Sequence, residues 1–335
     1  MKCKRTVLPL LGTAFEPGRL ADTLNEFEDE ELAEIAQAEA YFFSAQAEAC
    51  VKIVEKYLNS EDVILRMSAD MLYTFANLTL GDAMAAQMAR EDVHICLKKA
   101  LEDENDLETQ ASCLFALYVI SVLIHIPPEK EMPLLSDYLR YLPEGQRLFA
   151  MNLLAHGAYL NQEYAKGQGM AQTAMMMAEK MYPIPFIYLN CVNAMCQINQ
   201  KDQEGARESV IRAWEIARQD KLLEPFIEHH GLLQGVLEVW VKQREPYVYK
   251  KMMDGVIAFS RGWMKIHNPE MQKAVTDLLT PVEFSIAMLA CRDWTNQEIA
   301  EHMGLSVNTV KHYVSTILEK LQIDKRDKIK EFVNQ

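Results

Sequence analysis

TNQEIAEHMGLSVNTVKHYVSTILEKLQI, residues 295–323, decides the reading of this 335-residue chain. Thr295 with Glu298 three residues on is a capping-box signature, and Ser306 is a second N-cap ahead of an apolar-periodic run. Gly304 supplies the left-handed residue that ends the first helix, with Leu305 tucking inward behind it. Helix, short glycine turn, helix is the helix-turn-helix pattern. Upstream, TPVE at 280–283 adds another start, with a Thr cap, Pro at the first helical position and Glu at the third.

The last long helix has two distinct faces. At about 100° per residue, Val310, Val314, Ile317 and Leu321 fall within about 60° of arc and form one apolar stripe. Asn308, His312, Ser315 and Glu319 lie opposite, with Lys311 at the flank. Hydrogen-bonding side chains over the first turns, with a cation beside them, suit the major groove, where base edges offer donors and acceptors and phosphates need positive charge. An ordinary solvated helix more often carries Glu and Lys four residues apart.

Residues 279–333, LTPVEFSIAMLACRDWTNQEIAEHMGLSVNTVKHYVSTILEKLQIDKRDKIKEFV, resemble the LuxR-type, or GerE-type, DNA-binding domain. The resemblance rests on Leu279, Thr280 and Glu283; on Asn296, Glu298, Ile299 and Ala300; on Leu305, Ser306, Thr309, Val310 and Lys311; and on Ile317, Lys320, Leu321 and Arg326, all in ungapped register. It implies a four-helix module whose third helix enters the major groove of double-stranded DNA and whose fourth pairs in a dimer. Carried over position by position, Lys311, His312 and Ser315 face bases, while Thr309, Lys320 and Asn296 lie near the DNA backbone or shape the turn. With Asn308 these are the expected DNA-binding residues. Ile329, Phe332 and Val333, at i, i+3 and i+4, form a small apolar stripe expected at the homodimer contact. The chain departs from the family at Asp293 and Gln322, where glycine is usual, at Gln297 (lysine), at Tyr313 (histidine), and at Ser315, often a lysine or other polar reader. These changes remove positive charge and predict modest affinity.

The whole chain is acidic, with a formal charge of −14. Residues 280–335 hold eight acids and seven bases, so the acidity belongs almost wholly to the preceding residues. Screening cuts fields beyond roughly 10 Å at ~0.1 M salt, so local charge decides binding. Few phosphate contacts per monomer predict weak binding alone, multiplied when two modules occupy adjacent half-sites.

The rest of the chain is half hydrophobic with only 13 glycines and 12 prolines, a globular and helix-rich composition. Helical segments of roughly 15–25 residues follow one another from residue 21 to about 273. A weak repeat links Ala171, Met175, Ala178 and Pro183 to Val210, Trp214, Ala217 and Leu222 at equal spacing. It resembles the tetratricopeptide repeat (TPR), with a period longer than the usual 34, and the superhelical region that precedes the DNA-binding domain in MalT-like regulators. Residues 21–140 show no clear repeat. Met170, Met175, Met176, Met177 and Met181 are read as core filler, with a plastic ligand-binding surface as the lesser alternative. The expected architecture is all-α: a TPR-like helical solenoid followed by a small four-helix LuxR-type helix-turn-helix domain. Residues 1–20 are read as an N-terminal tail, 21–275 as a sensor and interaction domain, and 276–335 as the DNA-binding domain.

Other classes fit poorly. MKCKRTVLPLLGTAF, at the start, has the basic end and apolar run of a signal peptide, but the run is short, contains Pro9 and reaches Glu16 without a small-residue cleavage site. The longest apolar run, residues 111–126, falls short of the ~20 residues a membrane span needs and reads as a buried helix. Seven scattered cysteines with no CxxC pair suit a reducing compartment and suggest no metal site. EHH at 228–230 lacks the HExxH register and reads as surface or helix-end histidines. There is no GxxxxGK[ST] loop, no strand–helix alternation of a receiver domain and no mixed sheet of an acyl-homoserine-lactone sensor. The expectation is a cytoplasmic, non-enzymatic regulator without cofactor, bound to DNA as a homodimer and governed at the repeats by an unidentified peptide, protein or small molecule. The alternative is an adaptor whose helical repeats and terminal helices bind proteins such as RNA polymerase instead of DNA.

Overall fold

The computed structural model describes residues 5–103, 105–126, 132–233, 235–267 and 279–329. Among them the chain forms seventeen α-helices and no strand, so the fold is all-α. The body comprises α1 (Leu20–Leu24), α2 (Glu30–Phe43), α3 (Ala47–Val54), α4 (Val63–Leu80), α5 (Ala83–Ala100), α6 (Leu107–Leu123), α7 (Leu135–Tyr138), α8 (Glu144–Leu160), α9 (Tyr164–Met177), α10 (Pro183–Asn199), α11 (Gln203–Asp220), α12 (Glu224–Leu233), α13 (Val236–Arg244) and α14 (Pro246–His267).

Aspartate starts many of these helices. Asp29, Asp62, Asp82, Asp106 and Asp202 each accept main-chain N–H groups in the first turn of α2, α4, α5, α6 and α11. Such a cap is worth about 1 kcal/mol, and its charge meets the positive end of the helix dipole. Part of the body's acidity is therefore structural.

In the second half, α8 packs on α9, α9 on α10, α8 on α10 and α10 on α11. Ala171, Val210, Trp214, Ala217 and Leu222 of the sequence repeat are buried, and Pro183 opens α10. Ala178 instead lies one residue past the end of α9 and is only half-buried. Of the methionine stripe, Met176 and Met177 are exposed while Met170 and Met175 pack against the core. The packing does not run on as a simple line, because α14 packs back on α4 and α5, and α12 on α2. Gly262 makes the first return possible: a Cβ there would meet the Leu78 carbonyl oxygen at 1.8 Å.

An aromatic chain runs through the centre. Phe115 meets Phe149 at 6.0 Å between ring centroids, Phe149 meets Tyr188 at 4.9 Å, and Tyr188 meets Phe43 at 6.4 Å, all edge-to-face. The apolar run of α6 is buried here, and no described helix is long and apolar enough to cross a membrane. The EHH histidines also belong to this interior and not to the surface. In α12, His229 Nδ1 lies 2.8 Å from the Pro225 carbonyl oxygen, and His230 Nε2 lies 2.7 Å from Glu238 Oε1.

The N-terminal segment differs most from expectation. Val7, Leu8, Leu10, Leu11 and Phe15 are 0–8% exposed and belong to the body's core. Burying such side chains contributes roughly 1.5–3 kcal/mol each. The signal-like apolar run thus packs as an irregular strap across α2, α4 and α8.

Candidate nucleic-acid interface

Among the described residues the C-terminal domain is built from α15 (Pro281–Cys291), α16 (Asn296–Met303) and α17 (Val307–Lys320), followed by a 3-10 turn, Arg326–Ile329. Each start has the predicted chemistry. Thr280 accepts from the Glu283 amide while Glu283 accepts from the Thr280 amide, and Thr295 and Glu298 repeat the box. Ser306 Oγ accepts from the Thr309 amide at 3.1 Å, and the two hydroxyls lie 2.8 Å apart. Gly304 ends α16 at φ 63°, in the left-handed region. Val310, Val314, Ile317 and Leu321 are buried, so α17 is anchored along one face against α15 and α16.

The opposite edge is open. Asn308, Lys311, His312 and Ser315 are all exposed. Ser315 Oγ donates to the Lys311 carbonyl at 3.1 Å, which leaves its lone pairs outward. This edge pairs amide, imidazole and hydroxyl groups with one ammonium, on a helix held from behind.

The remaining site residues have intramolecular roles. Thr309 is half-buried at the turn beside Ser306. Lys320 Nζ sits 2.7 and 2.8 Å from the two Glu283 oxygens, tying the end of α17 to the start of α15. Burial pushes the Glu283 carboxyl up, but Lys320 and the Thr280 donors outweigh it and hold the group below its ordinary value. Asn296 Oδ1 accepts from Arg326 Nη1 at 2.8 Å, and Arg326 also donates to the Trp294 carbonyl. Trp294, 2% exposed, packs edge-on to His302 at 5.2 Å. The capping role of Glu283 is legible in the sequence, but its pairing with Lys320 and the structural parts of Trp294 and Arg326 are not; the nearest signal is that Glu283 and Arg326 stand at family-matching positions. Ile329 is fully buried against α15 and is not on an exposed stripe. Phe332 and Val333 lie outside the described residues.

The domain rests on the body through α15 and α16, leaving α17 outward. Phe284 fills the space above Gly231, and Met303 lies over Gly235, where a Cβ would meet its sulfur at 2.0 Å. Lys201 Nζ reaches Glu298 Oε1 at 2.6 Å. With the Thr295 donors, this contact lowers the Glu298 carboxyl to about 2. Arg292 donates to Asn199 Oδ1 and to the Tyr159 hydroxyl, with its guanidinium 5.5 Å from the Tyr159 ring centre. None of this docking was legible in the sequence.

Capped helices, a glycine turn and an anchored, polar-edged third helix define a helix-turn-helix module. The profile of bacterial regulatory proteins of the luxR family matches residues 277–332, and these residues are a LuxR-family helix-turn-helix domain. The response regulator protein VraR of Staphylococcus saprophyticus is 38% identical over 64 residues, covering 19% of this chain and 31% of the relative. The response regulator protein VraR of Staphylococcus aureus strain Mu3 is 34% identical over 86 residues, covering 23% of this chain and 41% of the relative. The chain therefore spans less than half the length of these curated relatives. No solved structure matches the chain.

Proposed function

We propose that the protein is a DNA-binding transcriptional regulator. The exposed edge of Asn308, Lys311, His312 and Ser315, on a helix fixed from behind by Val310 and Ile317, carries this reading. Asn308 and His312 supply paired donor and acceptor groups for base edges, and Lys311 supplies phosphate charge. Thr309 supports the reading at the turn that aims the helix, and Asn296 by holding Arg326 beyond the helix's far end. Lys320 is committed to Glu283, so positive charge at the groove is sparse and two modules on adjacent half-sites compensate. The protein acts as a homodimer on DNA, and the TPR-like body receives a peptide, small molecule or protein that controls it.

The test is selection of bound duplexes from random DNA, followed by fluorescence anisotropy across a salt series. Lys311→Ala should lower affinity on all sequences and reduce the salt slope by about 1, while His312→Ala should relax base preference at a cost of ~1–3 kcal/mol. Unchanged DNA affinity in both variants, with a complex to RNA polymerase lost, would establish the adaptor instead.

A further inference from the structure

The strap formed by residues 5–15 is held as a bound peptide is held. Its main chain is contacted by side chains from three separate helices: Leu8 N donates to Ser68 Oγ at 3.1 Å, Leu10 N and Leu11 N donate to the two oxygens of Glu39 at 2.8 and 2.9 Å, and Gln146 Nε2 donates to the Val7 carbonyl. At the mouth, Arg5 is gripped by Asp29, Glu31 and Asp62 at 2.9, 2.6 and 2.8 Å. At the exit, Asp220 accepts from the amides of Gly18 and Leu20 at 2.7 and 3.1 Å. The body is shaped for this passage: a Cβ on Gly145 would stand 2.7 Å from the Gly12 carbonyl oxygen.

Glu39 makes the groove specific. It is fully buried, and two consecutive main-chain amides donate to its carboxyl oxygens. With the strap withdrawn, that carboxyl would lose both donors, which is costly for a buried acceptor. The vacant groove therefore demands another chain presenting two successive amides between apolar side chains. Leu8, Leu10 and Leu11 are buried, and the acidic mouth adds a requirement for a leading cation. We propose that this groove is a peptide-binding site for an apolar peptide led by a basic residue and folded into a turn, as residues 8–13 are here by the Gly12 N to Leu8 carbonyl and Thr13 N to Leu10 carbonyl bonds, and that residues 5–15 are its intramolecular occupant, displaced by a free peptide of the same kind. The proposal rests on the reading of the body as the effector-receiving part of the regulator.

Tethering gives the strap an effective concentration in the millimolar range, so exchange must be measured after the tether is cut. The full-length protein, carrying a specific protease sequence inserted after Glu16, is folded, cut and mixed with a fluorescein-labelled peptide of residues 5–16. We expect saturable anisotropy, release of the cut segment on size exclusion, no binding of a scrambled peptide, and affinity about tenfold weaker with Glu39→Gln in the protein or an Arg5→Glu change in the peptide. A cut segment that stays bound through hundredfold peptide excess, or a cut protein that loses its helical circular dichroism, would make the strap a permanent core element and overturn the proposal. DNA binding is read separately on the same samples. Peptide exchange in a protein with no DNA affinity would sink the regulator reading and leave the groove standing.

Discussion

Two residues of the C-terminal domain occupy backbone conformations that side chains disfavour. Asp293 sits at φ 60° and Gln322 at φ 56°, the two positions where the family resemblance leads one to expect glycine. The left-handed region costs an L-residue roughly 1–2 kcal/mol, and Asp less than most because its short side chain bonds locally. Gln322→Gly should therefore raise the stability of the domain by about 1 kcal/mol, and Asp293→Gly by less; a fall in melting temperature for Gln322→Gly would contradict this. Lysines 311 and 320 should separate cleanly. Lys320→Ala should cost about 1 kcal/mol of stability with the salt slope of DNA binding unchanged, because its partner is Glu283 and not phosphate. Lys311→Ala should do the reverse, and equal salt slopes for the two variants would refute the assignment.

At the scale of elements, α15 and α17 are joined where charge meets a helix start. Glu283 closes the capping box of α15 and pairs with Lys320 at the end of α17, with 6% and 35% of the two side chains exposed. The folded Glu283 carboxyl lies below its ordinary value of 4.5, so its stabilisation is present above that pH and is lost as pH falls through the folded value. Glu283→Gln should flatten the domain's acid limb while costing about 1–3 kcal/mol at neutral pH. An unaltered acid limb in thermal melts would show that the pair is not coupled to folding.

For the whole molecule, docking and interior titration set the behaviour. Arg292 joins the domain to Asn199 and Tyr159 of the body, so Arg292→Ala should speed amide exchange in α15 and α16 about tenfold. Protection unchanged in both helices would mean that the apolar contacts at Gly231 and Gly235 suffice. In the body, burial raises the carboxyls of Asp70 to about 9 and of Glu39 and Glu228 to about 8. Groups raised on folding stabilise most below their unfolded values and lose that contribution as pH climbs through the folded ones, each by up to roughly 1.4 kcal/mol per unit. Burial lowers His229 to about 4 and His156 well below its usual value, so these two favour the fold above ~6.5 and lose that contribution as pH falls. Above pH ~6.5 the histidines no longer offset the acids, and the melting temperature should fall between pH 7 and 9. A melting temperature that rises between pH 7 and 9 would contradict the buried acids.

Local patterns on the page of the sequence determined the helical class, the three capped starts, the glycine turn and the two faces of α17. Each depends on contacts within about four residues, where spacing alone carries the information. Thr280, Thr295, Ser306 and Gly304 all serve as their positions imply. Tertiary structure alone decided where α14 returns, which cations are spent inside the molecule, and that Ile329 is core. It also decided that an apolar N-terminal run with the look of a leader is a strap under Glu39. Those outcomes join residues tens to hundreds of positions apart, such as Arg292 with Tyr159 and Leu10 with Glu39. Hydrophobicity says that such a run must be covered, but only the packed body says by what.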